Sequence, residues 1–452
     1  MNQPHTIHED ARDISIFAEV DICVLGGSCT GVFAAVRAAR LGAKVALVEM
    51  QNSFGGVGTN SLVCVWHSLW DTEGKRQVIS GLTEEVMTHL SQRGVVKAHE
   101  PTNGGRGFTF NPQELKIDLD ELVQNAGIRS FLNTMFVSPH LEDGVLDSIV
   151  VENKSGRGAI KAKMFIDATG DGDLAARLGC ETYYANHLQP ATACALFSGW
   201  ETLNFGGVKY QDVIANGSAK FNLPEGFAWG GYVPGSTDFM LAGTRVYGAN
   251  PANADDLTAA EFEGRRQVRA IMDIFKEASP DSKLALSALP SRIGLRESRH
   301  VRCEYQLTGD DILHGRRFPD AIANGSYPSD THHQDKPGIT LRYLDGTEVY
   351  NHPGQPSVCG RWRKETVENP TFYQIPFRSM LPGTHPNLLI AGRMVDAEPP
   401  AHAAIRVMVN MNQTGEAAGV AAYLAMNGNG DVRKLDVDKL RSTLAQGGSI
   451  II

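Results

Sequence analysis

Three glycines and one carboxylate carry the strongest chemical signal in this chain. Gly26, Gly27 and Gly31 stand with Ser28, Cys29 and Thr30 between an apolar run ending at residue 25 and an Ala- and Val-rich run ending at residue 41. A second apolar run, 44–48, stops at Glu49. The pattern predicts a strand at 21–25, a tight turn, a helix at 31–41 and a second strand at 44–48. Free N–H groups at the helix start suit a pyrophosphate, and a carboxylate ending the second strand suits a ribose diol. That carboxylate would repel a 2′-phosphate, so the pattern favours FAD or NAD over NADP. Ser28 occupies the third position of the pattern, where the strict form has glycine. Gly26 and Gly31 keep the turn and the helix–strand contact. Cys29, although at a helix start that lowers a thiol pKa, reads as a small buried side chain.

Further positions offer chemistry of other kinds. Gly55, Gly56, Val57, Gly58, Thr59 and Asn60 form a loop whose glycine density suits backbone passing close to a flat ligand. An apolar strand at 163–168 runs into Ala168, Thr169 and Gly170, a second point of close approach. His67, flanked by Trp66 and Trp70, is a candidate base in an apolar pocket, or else a core histidine. Arg292, Arg296 and Arg299 surround Glu297, a cluster able to clamp a carboxylate or to form ion pairs between domains. Arg378 is a candidate for substrate contact and Arg393 for cofactor contact. His332 and His333 are adjacent and point apart on a strand, so no metal site is expected there.

The elements that must position these residues follow from patterning. Helices are expected at 80–93 and 112–126, the latter capped by Asn111 with Pro112 in its first turn. A short strand follows at 127–132, and an antiparallel meander at 133–163 turns at Asp143-Gly144 and at residues 156–158. The middle of the chain shows glycine-rich loops at 229–235 and a long helix around 259–278. A last strand at 387–391 leads through Gly392-Arg393 to a helix at 404–425. Gly415 and Gly419 in that helix allow a close contact with the sheet. The expected fold is α/β: a discontinuous Rossmann-like dinucleotide-binding domain with a parallel sheet and a β-meander, and an inserted α+β substrate domain. The expected boundaries are 15–182 and 373–452 for the former and 183–372 for the latter.

Composition narrows the function classes. The 452 residues are 42% hydrophobic and 21% charged, with a net charge of -9, so no electrostatic binding of nucleic acid is expected. No apolar run is long enough to span a membrane, and the polar segment 1–13 has no basic or apolar signal-peptide region, so a cytoplasmic location is expected. Seven scattered cysteines without a C-x-x-C pair exclude a redox dithiol of the disulfide-reductase kind.

Taken together, VLGGSCTG with Glu49, GGVGTNS, FIDATGDGDLA (165–175), RIGLRES (292–298), YQIPFRSMLP (373–382) and NLLIAGRMVDAEPPAHAAIRVM (387–408) resemble FAD-dependent oxidoreductases of the glutathione-reductase superfamily. The branch resembled is that of the succinate dehydrogenase and fumarate reductase flavoproteins, and the motifs cover most of the chain. The resemblance implies FAD extended across the first domain. Residues 26–31 would hold the pyrophosphate and Glu49 the adenosine ribose. Residues 56–60 and Gly392-Arg393 would lie along the pyrophosphate, ribityl chain and isoalloxazine, with Met50, Val137, Val407 and Met408 among the contacts. A helix starting near Ile405 would aim its dipole at the pyrimidine end of the flavin. That branch often carries Thr-His before the final helix; here the segment is Glu-Pro-Pro-Ala-His, and His402 is the histidine offered for a catalytic role. The implied activity is a dehydrogenase or oxidase moving a hydride between a small polar substrate and the flavin. Alkene reduction and monooxygenation are the rival reactions, and FAD in a purely structural role is the non-enzymatic one. Oxygen, a quinone or a protein would accept the electrons, and a homo-oligomer is compatible with this reading.

Overall fold

The computed structural model describes residues 6–99 and 107–452. The first five residues of the polar opening segment therefore lie outside the described part. The architecture is mixed α/β around a seven-stranded sheet. Arg129–Phe131, Val45–Val48, Ser15–Leu25 and Gly156–Asp167 lie side by side and parallel, with Val24 opposite Leu47 and Cys23 opposite Phe165. The far edge of Gly156–Asp167 is shared. Its first half pairs antiparallel with Val145–Asn153, and its second half pairs parallel with Leu388–Ile390. The last strand of the expected meander and the expected strand at 163–168 are thus one long strand joining two kinds of pairing. The meander turns at Asp143 and Gly144, both at positive φ.

The first helix, Cys29–Arg40, starts two residues before the sequence expectation, because Ser28 is extended and serves as its N-cap. Gly26 has φ +103°, and a Cβ there would lie 2.3 Å from the Ala168 carbonyl oxygen. A Cβ on Gly31 would lie 1.8 Å from the Gly26 carbonyl oxygen. Turn, helix and the neighbouring strand end therefore meet backbone against backbone, which only glycine permits.

The final helix departs from expectation in two ways. It is broken into Pro399–Ile405 and Met408–Met426, because Val407 is extended, at φ -66° and ψ 145°. Its glycines do not meet the sheet. A Cβ on Gly415 or Gly419 would lie 2.0 Å from the Thr30 carbonyl oxygen or 2.1 Å from that of Ala34. Glycines four residues apart share one helix face. They let Met408–Met426 lie directly on the backbone of Cys29–Arg40, a helix-on-helix contact. A buried ion pair fastens this seam, with Arg37 Nε 3.0 Å from Glu416. Arg37 also donates to the carbonyls of Leu444 and Gly447 at the C-terminal end of the helix Val437–Gln446.

The region expected to be glycine-rich loop at 229–235 begins as a strand, Trp229–Tyr232, paired with Phe239–Ala242. With Ala195–Ser198 and Ala285–Ala288 it makes a four-stranded antiparallel sheet. The 25-residue helix Ala254–Ala278 packs on it through Val268, Ile271 and Phe275, forming a second apolar cluster with Phe197 and Leu241. Another four-stranded sheet follows, Ser329–His332, Ile339–Arg342, Thr347–Asn351 and Val358–Arg361. The side chains of Ile312, Phe318, Ile322 and Phe372, by contrast, join the large cluster beneath the main sheet.

Gly415→Ala is expected to force the two helices apart and lower stability by about 1–3 kcal/mol, the usual cost of overpacking. Gly360→Ala, at a glycine whose Cβ would meet nothing within 4 Å, should be close to neutral. Thermal melts of the two variants beside the parent protein check this, and equal melting temperatures would refute the seam.

Candidate functional site

One cavity of about 940 Å³ joins the two ends of the chain. This is near the upper end for small-molecule sites. Two helix N-termini open into it. The helix at Ser28–Thr30 and the helix at Val407–Met408 both lack a side-chain cap and an acidic residue in their first turn. Their orphan N–H groups and dipoles favour anionic groups at two separated points. Glu49 lies near the first. Its carboxylate accepts from the Gly27 N–H at 2.7 Å and the Gln51 N–H at 2.8 Å, bonds that aim it along the cavity wall.

The loop after Glu49 is more regular than its glycines suggested, since residues Gly56–Gly58 form a 3₁₀ turn. Gly55 and Gly56 have positive φ. The strand end at 168–170 is held by Asp167, wholly buried, which accepts from the backbone N–H groups of Thr169, Leu174 and Ala175. Asp171 then gathers Arg393, Arg292 at 3.3 Å and Ser298 at 2.6 Å. Burial pushes its carboxyl upward, but the two guanidiniums hold it below the ordinary range.

Of the expected cofactor residues, the cavity brings together Gly26, Ser28, Cys29, Thr30, Glu49, Gly55, Gly56, Val57, Asn60, Ala168, Thr169, Gly170, Gly392, Arg393, Val407 and Met408. Gly27, Gly31, Gly58 and Thr59 stand behind the wall and shape it. Thr59, for instance, donates to the Phe54 carbonyl at 2.6 Å. Cys29 is buried, with its thiol pushed up to about 12 by desolvation, so it is no nucleophile. Two expected contacts fall elsewhere. Met50 is half exposed beside Arg292, and Val137 sits at a bulge in the meander. The helix start facing the cavity is at Met408 rather than near Ile405, owing to the break at Val407.

The expected catalytic residues divide in the same way. His67, Arg292 and Arg296 line the cavity. His67 does not sit between indoles. Trp66 turns the other way to pack on Phe110, and the His67 ring lies 3.9 Å from that of Tyr327. Burial lowers its pKa to about 4. Arg378 lies outside the cavity, half exposed and paired with Asp320 at 2.9 Å. His402 is also outside it, fully buried against Glu297 and the His300 ring. Neither of these two reaches the cavity.

The cavity also contains groups that sequence reasoning passed over. Asp330 accepts from Tyr327 at 3.0 Å, His332 Nε2 at 3.1 Å and Arg406 at 3.0 Å. Burial alone would raise its pKa, but His332 and the neighbouring guanidiniums of Arg406 and Arg296 bring it well below the ordinary carboxylate range. His332 donates Nε2–H to that carboxylate, which leaves Nδ1 as the lone-pair nitrogen. Nδ1 is buried and without a hydrogen-bond partner among the described residues. Burial and the charge of Arg296 hold His332 well below the usual histidine range. The signal was present as Asp-Thr-His at 330–332, since alternate strand residues share a face.

A dinucleotide cofactor fits this arrangement. Besides the two uncapped helix starts, Asn412 Oδ1 and Arg393 Nε are buried polar atoms on the same wall without partners among the described residues. Comparison with protein families agrees. A family model described as FAD dependent oxidoreductase matches residues 21–444. The mitochondrial dihydrolipoyl dehydrogenase of Schizosaccharomyces pombe is 29% identical over 164 residues, which are 34% of this chain and 28% of that protein's length. Among solved structures, a geranylgeranyl bacteriochlorophyll reductase-like protein from Thermoplasma acidophilum superposes with a TM-score of 0.47 at 13% identity, over 95% of this chain and 84% of that one. The flavin-dependent brominase Bmp2 does so with a TM-score of 0.47 at 9% identity, over 94% and 83%.

Glu49→Ala removes a charged acceptor with two backbone donors in place. Flavin affinity should fall roughly 10- to 100-fold, the scale of about 1.5–3 kcal/mol for such bonds. Titration of the flavin-free protein with FAD measures it, and an unchanged affinity would exclude Glu49 from the ribose.

Proposed function

We propose that this chain, which belongs to the FAD-dependent oxidoreductase family, is a dehydrogenase or oxidase that withdraws a hydride from a small anionic organic substrate. The branch we favour is that of the succinate dehydrogenase and fumarate reductase flavoproteins, on the strength of the sequence motifs. FAD is the cofactor. The glycine turn at 26–31, Glu49 and the start of the helix Met408–Met426 would hold it. When bound, it supplies a two-electron acceptor for the hydride.

The observation that carries the reading is the Asp330–His332 pair, which lines the cavity that also contains the nucleotide turn and leaves the buried His332 Nδ1 without a partner among the described residues. Removing a hydride from a carbon bearing O–H or N–H requires that the attached proton also leave, and His332 Nδ1 is placed to take it. Asp330 fixes the tautomer and steadies the imidazolium formed. The rings of Tyr327 and His67 lie 3.9 Å apart, tilted by 34°, beside this group.

Charge at this end of the cavity selects the substrate. Arg245, Arg296 and Arg406 face one carboxylate, Asp330. Burial first, and then the charges of Arg245 and Arg406, lower Arg296 to about 9. Its Nη1 donates to the Pro190 carbonyl and Thr192 Oγ1, both at 2.6 Å, which fixes the guanidinium plane. An incoming carboxylate relieves that excess and is held in register with His332.

Anaerobic mixing with small hydroxy- and amino-carboxylates should bleach the oxidised flavin. Reoxidation of reduced flavin by an activated alkene would favour the reductase direction instead, and bleaching by NADH or NADPH alone would favour a monooxygenase.

His332→Gln should lower kcat about 10²- to 10⁴-fold, the range for loss of a general base, with KM little changed. Arg296→Met should act mainly on KM. Protonated His332 is inactive and its pKa is depressed. The acid limb of kcat/KM should therefore lie below the ordinary histidine value near pH 6.5. An acid limb at or above that value would assign the proton to another group.

A further inference from the structure

We propose that Glu297, His300 and His402 form a binding site for a divalent transition-metal ion of the zinc type, behind the cavity wall. The three side chains come from two distant segments, and their ligand atoms lie within 4.8 Å of one another, all buried. Glu297 Oε1 is 3.2 Å from His300 Nε2 and 3.7 Å from His402 Nδ1. A tetrahedral ion with bonds of about 2.0–2.1 Å holds its ligands roughly 3.3–3.4 Å apart. The observed spacings bracket that figure.

The hydrogen bonding around the cluster points the same way. His300 Nδ1 faces the Val395 carbonyl at 3.1 Å, so Nδ1 carries the proton and Nε2 presents its lone pair to the carboxylate. Glu297 Oε2 is occupied by the Gln189 N–H at 3.0 Å, which leaves Oε1 toward the histidines. His402 is wholly buried, yet neither of its ring nitrogens has a hydrogen-bond partner among the described residues. With the His402 proton on Nε2, its Nδ1 joins His300 Nε2 and Glu297 Oε1 as three converging acceptors, an arrangement that a cation completes. A ligating histidine whose other nitrogen bonds a backbone carbonyl is the usual outer-shell arrangement. Two imidazoles and one carboxylate suit zinc, iron, nickel or copper better than magnesium or calcium.

The ion would cross-link segment 297–300 to the helix Pro399–Ile405. Arg296 precedes the first ligand and Arg406 follows that helix, so it would set the spacing of two cavity arginines without touching the substrate.

The test uses FAD-loaded protein purified without chelator from zinc-supplemented cells, with metals counted by mass spectrometry. About one zinc or iron per chain is expected. His402→Gln and His300→Gln should lower the content at least tenfold. Removing the ion with a chelator should lower the melting temperature, and added Zn²⁺, but not Mg²⁺, should restore it. Less than about a tenth of an ion per chain, with no uptake of Zn²⁺ or Co²⁺ on dialysis, would overturn the proposal and leave a plain imidazolium–carboxylate pair. Full metal content in a folded His402→Gln variant would overturn it too. If the variants fail to fold, metal content and uptake in the parent protein decide alone.

Discussion

The site depends on two helices meeting at backbone distance. Cys29–Arg40 and Met408–Met426 are nearly four hundred residues apart in the chain, yet the missing side chains of Gly415 and Gly419 let their backbones touch. Closeness has an electrostatic result. Both N-termini open into one cavity, and each carries unsatisfied N–H groups. Any bulkier residue on that face would separate the two ends of the ligand's cradle. The buried pair of Arg37 and Glu416 lies along the same seam and locks the rotation of one helix on the other. Such a pair adds little net stability once desolvation is counted, but it makes misregistered packing costly.

From that seam the chemistry is arranged by a second, polar hub. Asp330 ties Tyr327, His332 and Arg406 together, and Ser329 donates to the Pro400 carbonyl at 2.8 Å. The strand Ser329–His332 is thereby fixed to the broken helix whose next turn begins the cavity-facing N-terminus. The Asp330 hub and the cavity-facing helix start are both tied to one short stretch of chain, residues 399–408. The break at Val407 is what turns that stretch from a continuous helix into a corner.

Much of the nucleotide half was legible in the sequence, because its rules are local. A strand, glycines, a helix and an acid in series leave few alternatives, and Asn111 with Pro112 marked a helix start that is present as read. The failures have physical causes. The final helix looked unbroken because alanines favour helix everywhere, and nothing local announces that Val407 is extended. Gly415 and Gly419 revealed a close contact but not its partner, since a smooth face fits a helix as well as a sheet. Arg378 and His402 have the right chemistry, but solvent and core claim them, and burial cannot be read from residue type. Asp330 and His332 were missed because a strand's alternation was weighed for neighbouring residues instead of next-neighbours.

The shared edge of the strand Gly156–Asp167 bears on how the chain is born. Its first half finds a partner at once in the meander that precedes it. Its second half waits for Leu388–Ile390, so a ribosome must finish everything between Asp167 and Leu388 before the sheet can close. During that interval Phe165 and Ile166 offer apolar side chains and free peptide groups on an open strand, a template for other chains. Slow or interrupted translation should therefore yield aggregates rather than shorter folded pieces.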